Sequence, residues 1–355
     1  MKVGIVGFAG SGKTTVFNAL TGLAAETGFG GRERANVGVI KVPDERVDKL
    51  AEIYSPKKKT YAEISFVDVA GPEQHEAGSA DRSETGLDPK LVQHMREVDA
   101  LVHVVRAFES PYLARSADPV GDIRAFEDEL ILTDLVQVEN RAARLKKERD
   151  SERERDLFDR LKADLEAEKA LRAVDISPED QSLIAGFRFL SLKPLLLLVN
   201  AAEDQIAAGS SPDVQALAGE KALTCIYMSG KAEMEIAELA PEEQRDFLRD
   251  LGIEEPARDR FIRAAYGLLE LISFLTAGED ECRAWPIKRG THAQKAAGKI
   301  HSDIERGFIR AEVARFEDLG ALGSISACRE HGKLRLEGKD YIVQDGDVIN
   351  FRFNV

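Results

Sequence analysis

Short apolar runs that end on glycine, asparagine or serine alternate along the chain with stretches whose apolar residues recur at helical spacing. "KVGIVGF" stops at glycine, and "KTTVFNALTGL" then places Val16, Phe17 and Leu20 on one helical face, so the order is strand, loop, helix. "NVGVIKVP", "AEISFVDVAG", "DALVHVVRAF", "KPLLLLVNAAE" and "ALTCIYMSG" read as five further strands. Their apolar character and the helical stretches between most of them predict an α/β protein on a largely parallel sheet.

The fourth and fifth of these strands stand about 85 residues apart, too far for one crossover helix. Within that interval Ile131, Leu135, Val138, Ala142 and Leu145 recur at alternating spacings of four and three, and Phe158, Leu161 and Leu165 resume the pattern after the polar "ERDSERER". This predicts an antiparallel helical hairpin. From Val138 to Asp175 its charges balance, 11 basic against 11 acidic, as on a solvated surface. At ~1.5 Å per residue it has the length to project roughly 35 Å as an arm; the plainer alternative is two charged helices that cover the sheet. A second break follows "YGLLELISFLTAG". Beyond it lie "ECRAWPIKRG", an amphipathic "AQKAAGKIHSDIERGF", the strand-like "RAEVARF" and "KDYIVQDGDVINFRFNV", whose Asp-Gly between alternating apolar runs signals a hairpin. The expected result is a small α+β module of about 77 residues.

Composition narrows the function. Hydrophobic residues are 43% and charged residues 32% of 355, the balance of an ordinary globular protein of two or three domains. No apolar run approaches the ~18 residues of a membrane span, and the apolar start runs into a glycine loop rather than a cleavage site. A cytoplasmic protein with no membrane contact is expected. Cys225, Cys282 and Cys328 form no CxxC, which excludes a zinc ribbon or a redox pair. The net charge is -14, yet Glu279 to Val355 holds 13 basic and 13 acidic residues, so the acidic excess lies upstream and any polyanion is better met by the C-terminal end.

"GFAGSGKTT" satisfies G-x-x-x-x-G-K-S/T through Gly7, Gly12, Lys13 and Thr14, between a strand and a helix as the motif requires. Its glycines turn backbone N–H groups toward a phosphate, the helix N-terminus adds its positive end, Lys13 reaches the outer phosphates and the Thr14 hydroxyl is placed to ligate Mg²⁺. Asp68 ends "EISFVDVAG", where a second metal contact belongs, through water. Asn200 and Glu203 stand where P-loop GTPases carry the Asn-Lys-x-Asp base reader, and Ser229, Gly230 and Lys231 where they carry the Ser-Ala-Lys loop. Asn-x-x-Glu offers a longer carboxylate, and Ala201 gives no lysine stem to cover the base, so guanine selection is expected to weaken. The plainer reading of Asn200 is a helix cap after a buried strand.

These motifs, with "HVVRAF", "FLTAGEDECRAW" and "AAGKIHSDIERGFIRAE", resemble the YchF or Obg-like ATPase family of translation-factor-related P-loop NTPases over nearly the whole chain. The resemblance implies a Ras-like P-loop NTPase domain (1–122 and 190–278), an inserted antiparallel α-helical coiled-coil arm (123–189) and a C-terminal ubiquitin-like, β-grasp TGS domain (279–355). It implies ATP binding at least as good as GTP binding, Mg²⁺, slow hydrolysis and contact with the ribosome or its RNA through the TGS domain and the arm. Carried onto this chain, the nucleotide-binding residues are Gly10, Ser11, Gly12, Lys13, Thr14, Thr15, Asn200, Ala201, Glu203, Ser229 and Gly230. The metal contacts are Thr14 and Asp68, and Lys13 is the catalytic residue.

The departures from the family concern its switches. The loop reads Ala9-Gly10-Ser11 where the family has Pro-Asn-Val, and "GGRER" ahead of "ANVGV" lacks the threonine that senses the γ-phosphate through Mg²⁺. Pro72 stands where Ras-like GTPases place a water-orienting glutamine, and Arg115 where the family places a histidine linked to hydrolysis. Gln74 and His75 are substitutes in type but read more simply as solvated loop residues, and His103, inside a strand, as a satisfied core histidine. Two functions from different classes follow: a slow Mg²⁺-dependent ATPase that also accepts GTP, or a hydrolysis-deficient, nucleotide-dependent module that binds ribosome or RNA. A small-molecule phosphotransferase is a third, disfavoured because no arginine-rich lid lies between the strands. The oligomeric state has no signature in the sequence.

Overall fold

Strand and helix alternate through the first two thirds of the chain: β1 (Lys2–Val6), α1 (Lys13–Thr21), β2 (Asn36–Val42), α2 (Glu45–Tyr54), β3 (Lys58–Thr60), β4 (Ala62–Asp68), α3 (Pro89–Glu97), β5 (Ala100–Arg106), α4 (Pro119–Leu145), α5 (Glu152–Glu166), α6 (Pro178–Ile184), β6 (Leu195–Asn200), α7 (Glu203–Ala208), α8 (Pro212–Glu220), β7 (Thr224–Met228), α9 (Gly230–Glu238) and α10 (Ala257–Leu268). After these come β8 (Leu271–Thr276), β9 (Glu281–Lys288), α11 (Ala293–Ile300), α12 (Ser302–Arg306), β10 (Phe308–Arg315), α13 (Phe316–Leu322), α14 (Ile325–Glu330), β11 (Arg335–Glu337) and β12 (Asp347–Phe353). The structure, a computed structural model, describes residues 1–23, 36–69, 87–113, 115–148, 152–208, 211–240, 242–244, 249 and 255–354. Its contacts divide the chain into two units, residues 1–38 with 65–264 and residues 39–64 with 265–355.

In the first unit the sheet order is β2-β4-β1-β5-β6-β7, and β1 pairs in parallel with β4 and β5, as β6 does with β5 and β7. β5 and β6 are buried at every residue, because helices cover both faces and leave no solvated side to demand alternation. From β1 the chain goes to the edge strand β2, returns to β4 beside β1 and then crosses to β5 on the other side, so the strand ends beside β1 frame a crevice of the kind in which open α/β sheets bind ligands. All six strands expected here are present, and the fold is an α/β P-loop fold.

α4 settles part of the question about the charged insertion. Ile123 packs with Val105, Leu197 and Val199, and Phe126 and Leu130 with Val6, Met95 and Leu101, so the first half of the helix covers the sheet. From Ile131 onward its apolar stripe turns to a separate core with Leu157, Phe158, Leu161 and Leu165 of α5. Ion pairs Arg141–Glu154 and Lys162–Glu139, both at 2.8 Å, run in opposite chain directions and make the pair antiparallel. At the change of partner, the fully buried Asp134 accepts hydrogen bonds from Leu190 N (2.9 Å), Ser191 N (2.7 Å) and Ser191 Oγ (2.7 Å), which anchors the returning chain.

The second unit holds a mixed sheet of order β11-β10-β12-β8-β9-β3. β10/β12 and β8/β9 are antiparallel, while β12/β8 and β3/β9 are parallel. α11 lays Ala293, Ala296 and Ala297 on Phe274, Val313, Ile349 and Phe351 of one face. On the other, Leu275, Cys282, Ala284, Ala314 and Val348 meet Val47 and Leu50 of α2, Leu319 of α13 and Cys328 of α14.

Three expectations differ from this unit. Residues 39–64, read as part of the nucleotide domain, associate with the C-terminal unit because β3 pairs with β9 across more than 200 residues of sequence. The single amphipathic helix breaks at His301, whose extended backbone (φ -161°) and ring nitrogen, accepting from Asp303 N at 3.2 Å, end α11 and cap α12. The Asp-Gly hairpin is absent: β12 pairs with β10 and β8, and Ile342 forms only an isolated bridge to His292. Gly346 does turn (φ +83°), but the Asp345 carboxylate accepts from Ser273 N at 2.8 Å and pairs with Arg46, which ties the turn to β8 and α2 instead of folding it back.

Candidate functional site

The loop from Gly7 to Gly12 follows β1 and delivers the chain into α1. A Cβ on Gly7 (φ +148°) would lie 2.4 Å from the carbonyl oxygen of Val104, and one on Gly12 (φ +85°) would lie 2.2 Å from Asn200 Nδ2, so only glycine passes at either point. Ser11 N donates to Phe8 O at 3.2 Å and closes the loop, while the buried Ser11 Oγ has no hydrogen-bond partner among the described residues. Gly12 caps α1 without a side-chain hydrogen bond, and no acidic residue stands in the first turn. Among the described residues the N–H groups of that turn are therefore left for an anion.

Lys13 folds back over the loop, its Nζ donating to the carbonyls of Gly7 (2.9 Å) and Phe8 (3.0 Å). Burial lowers its pKa to about 8, with nearby Asp68 opposing the shift. Thr14 Oγ1 donates to Asp68 Oδ2 at 3.1 Å, and Asn36 Nδ2 donates to the same oxygen at 3.3 Å. One hydroxyl and one carboxylate side by side suit Mg²⁺, which takes few protein ligands and fills its shell with water and phosphate oxygens. Among the described residues no group of three or more His, Cys, Asp or Glu side chains is placed to hold a metal.

Asn200 ends β6 and works as a clamp. Its Nδ2 donates to Ser11 O and its Oδ1 accepts from Gly230 N, both at 3.0 Å, so one buried amide joins the phosphate loop to the β7–α9 loop. It caps no helix. Ala201 is buried and donates to Met228 O at 2.9 Å; Ser229 caps α9, its Oγ accepting from Ala232 N at 3.3 Å. Thr15, half-buried in the first turn of α1, faces Gly230, and Gly10 carries the side chain of Leu113 against it. Glu203 opens α7 in the wall of a small cleft with Met228 and Ser229, and Lys231 Nζ stands 3.9 Å from its carboxylate.

Arg106 is a site residue that the sequence reading missed. Buried at the end of β5, it donates to the carbonyls of Arg115 (2.6 Å) and Ser116 (3.0 Å) and so holds the loop that lays Leu113 and Phe108 beside Gly10 and Gly12. An arginine closing an otherwise apolar strand was the available signal. Arg115 itself turns away into an ion pair with Asp122 of α4. His103 is buried in β5, stacked on Phe126 at 4.1 Å with Phe8 edge-on, and neither ring nitrogen has a hydrogen-bond partner among the described residues. Burial, with Lys13 adding to it, lowers its pKa to about 3, so it is a neutral core residue. Pro72, Gln74, His75 and the "GGRER" stretch lie outside the described residues.

The model "50S ribosome-binding GTPase" matches residues 2–141, and the YchF-GTPase_C model, "Protein of unknown function (DUF933)", matches residues 271–354. The chain is 43% identical over 371 aligned positions to the "Ribosome-binding ATPase YchF" of Bacillus subtilis (strain 168), covering 100% of both. It is 37% identical to "Obg-like ATPase 1" of Oryza sativa subsp. japonica, covering 100% of this chain and 92% of that one. Among solved structures it superposes on the YchF GTPase of Schizosaccharomyces pombe with a TM-score of 0.87 at 30% identity, over 99% of this chain and 97% of the other.

Proposed function

The chain belongs to the YchF family, and from that premise we propose that it is a cytoplasmic P-loop ATPase that also accepts GTP, hydrolyses nucleotide slowly with Mg²⁺ and associates with the ribosome. The observation that carries this reading is the Asn200 clamp: it makes the phosphate loop and the base-side loop one continuous surface, with Lys13, Thr14 and Asp68 at one end and Glu203 at the other. The loop amides and Lys13 bind the phosphates, and Lys13 stabilises charge on the transferred phosphoryl group. Thr14 and, through water, Asp68 would hold Mg²⁺, which would supply charge neutralisation at the phosphate oxygens. Asn200, Ala201, Glu203, Ser229 and Gly230 take the base; without a lysine at position 201 and with Asn-x-x-Glu, adenine is preferred to or shared with guanine.

Ribosome contact rests on the curated relatives named for it, and on a C-terminal segment that is neutral against an acidic body. We assign that contact to the C-terminal unit, whose helix-on-sheet layout supports the β-grasp TGS reading, and to the α4–α5 hairpin as the coiled-coil arm. One observation favours the hydrolysis-deficient alternative: Arg115 is bound to Asp122 instead of facing the phosphate loop. Single-turnover cleavage of ATP and GTP, in wild type and Lys13→Ala, decides between the two. A slow rate that the substitution abolishes supports the ATPase; equal background rates leave a binding module.

A further inference from the structure

The parallel strands of the first unit carry the phosphate loop at their C-terminal ends. At the N-terminal ends of β5 and β6 lies a cavity of about 370 Å³, separated from the loop by the length of β5, roughly 20 Å. Its walls are the last turn of α3, the residues that lead into β5 and the chain that returns from α6 to β6, all within the first unit. The volume is that of a small-molecule site.

Val98, Ile184, Phe189 and Pro194 give the cavity an apolar lining, and three cations join them. Lys193 Nζ donates to the carbonyls of Val98 and Arg96 (3.3 Å) and so holds the C-terminus of α3. Burial lowers its pKa; Asp99 opposes the shift, and the charge of Arg188 adds to it, so the two cations feel each other. Arg188 follows a short 3-10 turn in left-handed backbone (φ +51°), is exposed, and its guanidinium has no ion pair or hydrogen bond among the described residues. Arg96 gives Nη2 to Gln137 Oε1 at 2.8 Å, while its buried Nε has no hydrogen-bond partner among the described residues. Two acids share the wall. Asp99 accepts from Lys2 N at 2.8 Å, and Glu97 is exposed at the end of α3. A buried donor without an acceptor and two cations in mutual repulsion are both relieved by one pair of anionic oxygens.

We infer that this cavity binds a small organic carboxylate, its oxygens accepting from Arg96 Nε and the Arg188 guanidinium and its carbon body lying on the apolar lining. The planar guanidinium fork matches a carboxylate, and Lys193 adds charge beside it. Glu97 and Asp99 in the same wall disfavour a phosphate, whose greater charge they would repel. The site is separate from the nucleotide and does not depend on how nucleotide is used.

The test uses the full chain with ADP present, as wild type, Arg188→Gln, Ala185→Trp and Arg310→Glu, in equilibrium dialysis against naphthoate, adipate, the neutral naphthamide and inorganic phosphate. Arg188 is exposed and without a partner, and Ala185 is exposed in the cavity wall, so both variants should melt as wild type does; Arg310, exposed on β10 of the other unit, controls for net charge. Wild type and Arg310→Glu are expected to bind naphthoate alike, Arg188→Gln about tenfold or more weakly, and Ala185→Trp, which fills the cavity, not at all. Naphthamide should bind at least about tenfold more weakly than naphthoate. Failure of wild type to bind either carboxylate, or naphthoate affinity unchanged in Arg188→Gln or in Ala185→Trp, would overturn the site. Naphthamide binding as tightly as naphthoate, or phosphate binding more tightly than both carboxylates and lost in Arg188→Gln, would overturn the carboxylate assignment.

Discussion

Replacing Asn200 with alanine should destabilise the protein before any nucleotide is added. The side chain makes two buried hydrogen bonds at 3.0 Å, to Ser11 O and from Gly230 N, and its loss leaves both backbone groups without that partner. Each bond is worth about 1 kcal/mol net, and a buried N–H left unmet costs about 1–3 kcal/mol more, so the expected loss is about 3–5 kcal/mol. Against a typical total of about 5–15 kcal/mol this is a large fraction. Urea unfolding of the nucleotide-free protein, followed by far-ultraviolet circular dichroism, reads it directly. Trp285, the single tryptophan, belongs to the C-terminal unit, so its fluorescence reports that unit and not the clamp. Amide exchange at Gly230 should accelerate in parallel. A variant that unfolds within about 0.5 kcal/mol of wild type while losing nucleotide affinity would refute the clamp and leave Asn200 a reader of the base alone.

Three further outcomes follow from the geometry. Lys13 has a pKa of about 8 in the folded chain against 10.5 ordinarily; the unfolded state binds more protons between those values, so this group makes stability rise with pH across that window. Nucleotide phosphates favour the charged ammonium, so binding at about pH 9 should take up a proton and weaken with rising pH, as calorimetry in buffers of different ionisation heat would show; no uptake would contradict it. Gly12→Ala forces a Cβ to within 2.2 Å of Asn200 Nδ2 at φ +85° and should lower nucleotide affinity at least tenfold, or roughly 1–2 kcal/mol from backbone strain alone, in equilibrium binding. Leu161→Ala, in the fully buried core between α4 and α5, should cost about 2–5 kcal/mol in the hairpin, seen as faster exchange there with ATP affinity unchanged.

Local signals carried the nucleotide unit well. Its strands are continuous apolar runs, and the spacing from Gly7 to Thr14 leaves the chain little choice but strand, loop and helix. The half-and-half use of α4 was hidden because Ile123 to Leu145 keeps one helical period while its partners change from the sheet to α5. The second unit was less legible because its organisation is long-range. β3 is three residues, "KKT", and acquires meaning only by pairing with β9. "DGDVINF" carries a hairpin signal that Asp345 redirects by bonding to Ser273 and Arg46. In the site, Lys13, Thr14, Asp68 and Asn200 could be named from motif spacing, whereas Arg106 acts on the carbonyls of residues nine and ten positions later, which no motif spacing records.

The central claim, that "GFAGSGKTT" and the Asn200 loop form one working nucleotide site, is tested most directly by titrating ATP and GTP calorimetrically, with and without Mg²⁺, into wild type and Lys13→Ala. Tight ATP binding, at least equal to GTP, strengthened by Mg²⁺ and lost in Lys13→Ala, is the predicted result; absence of binding by either nucleotide, or binding that Lys13→Ala leaves unchanged, would contradict it.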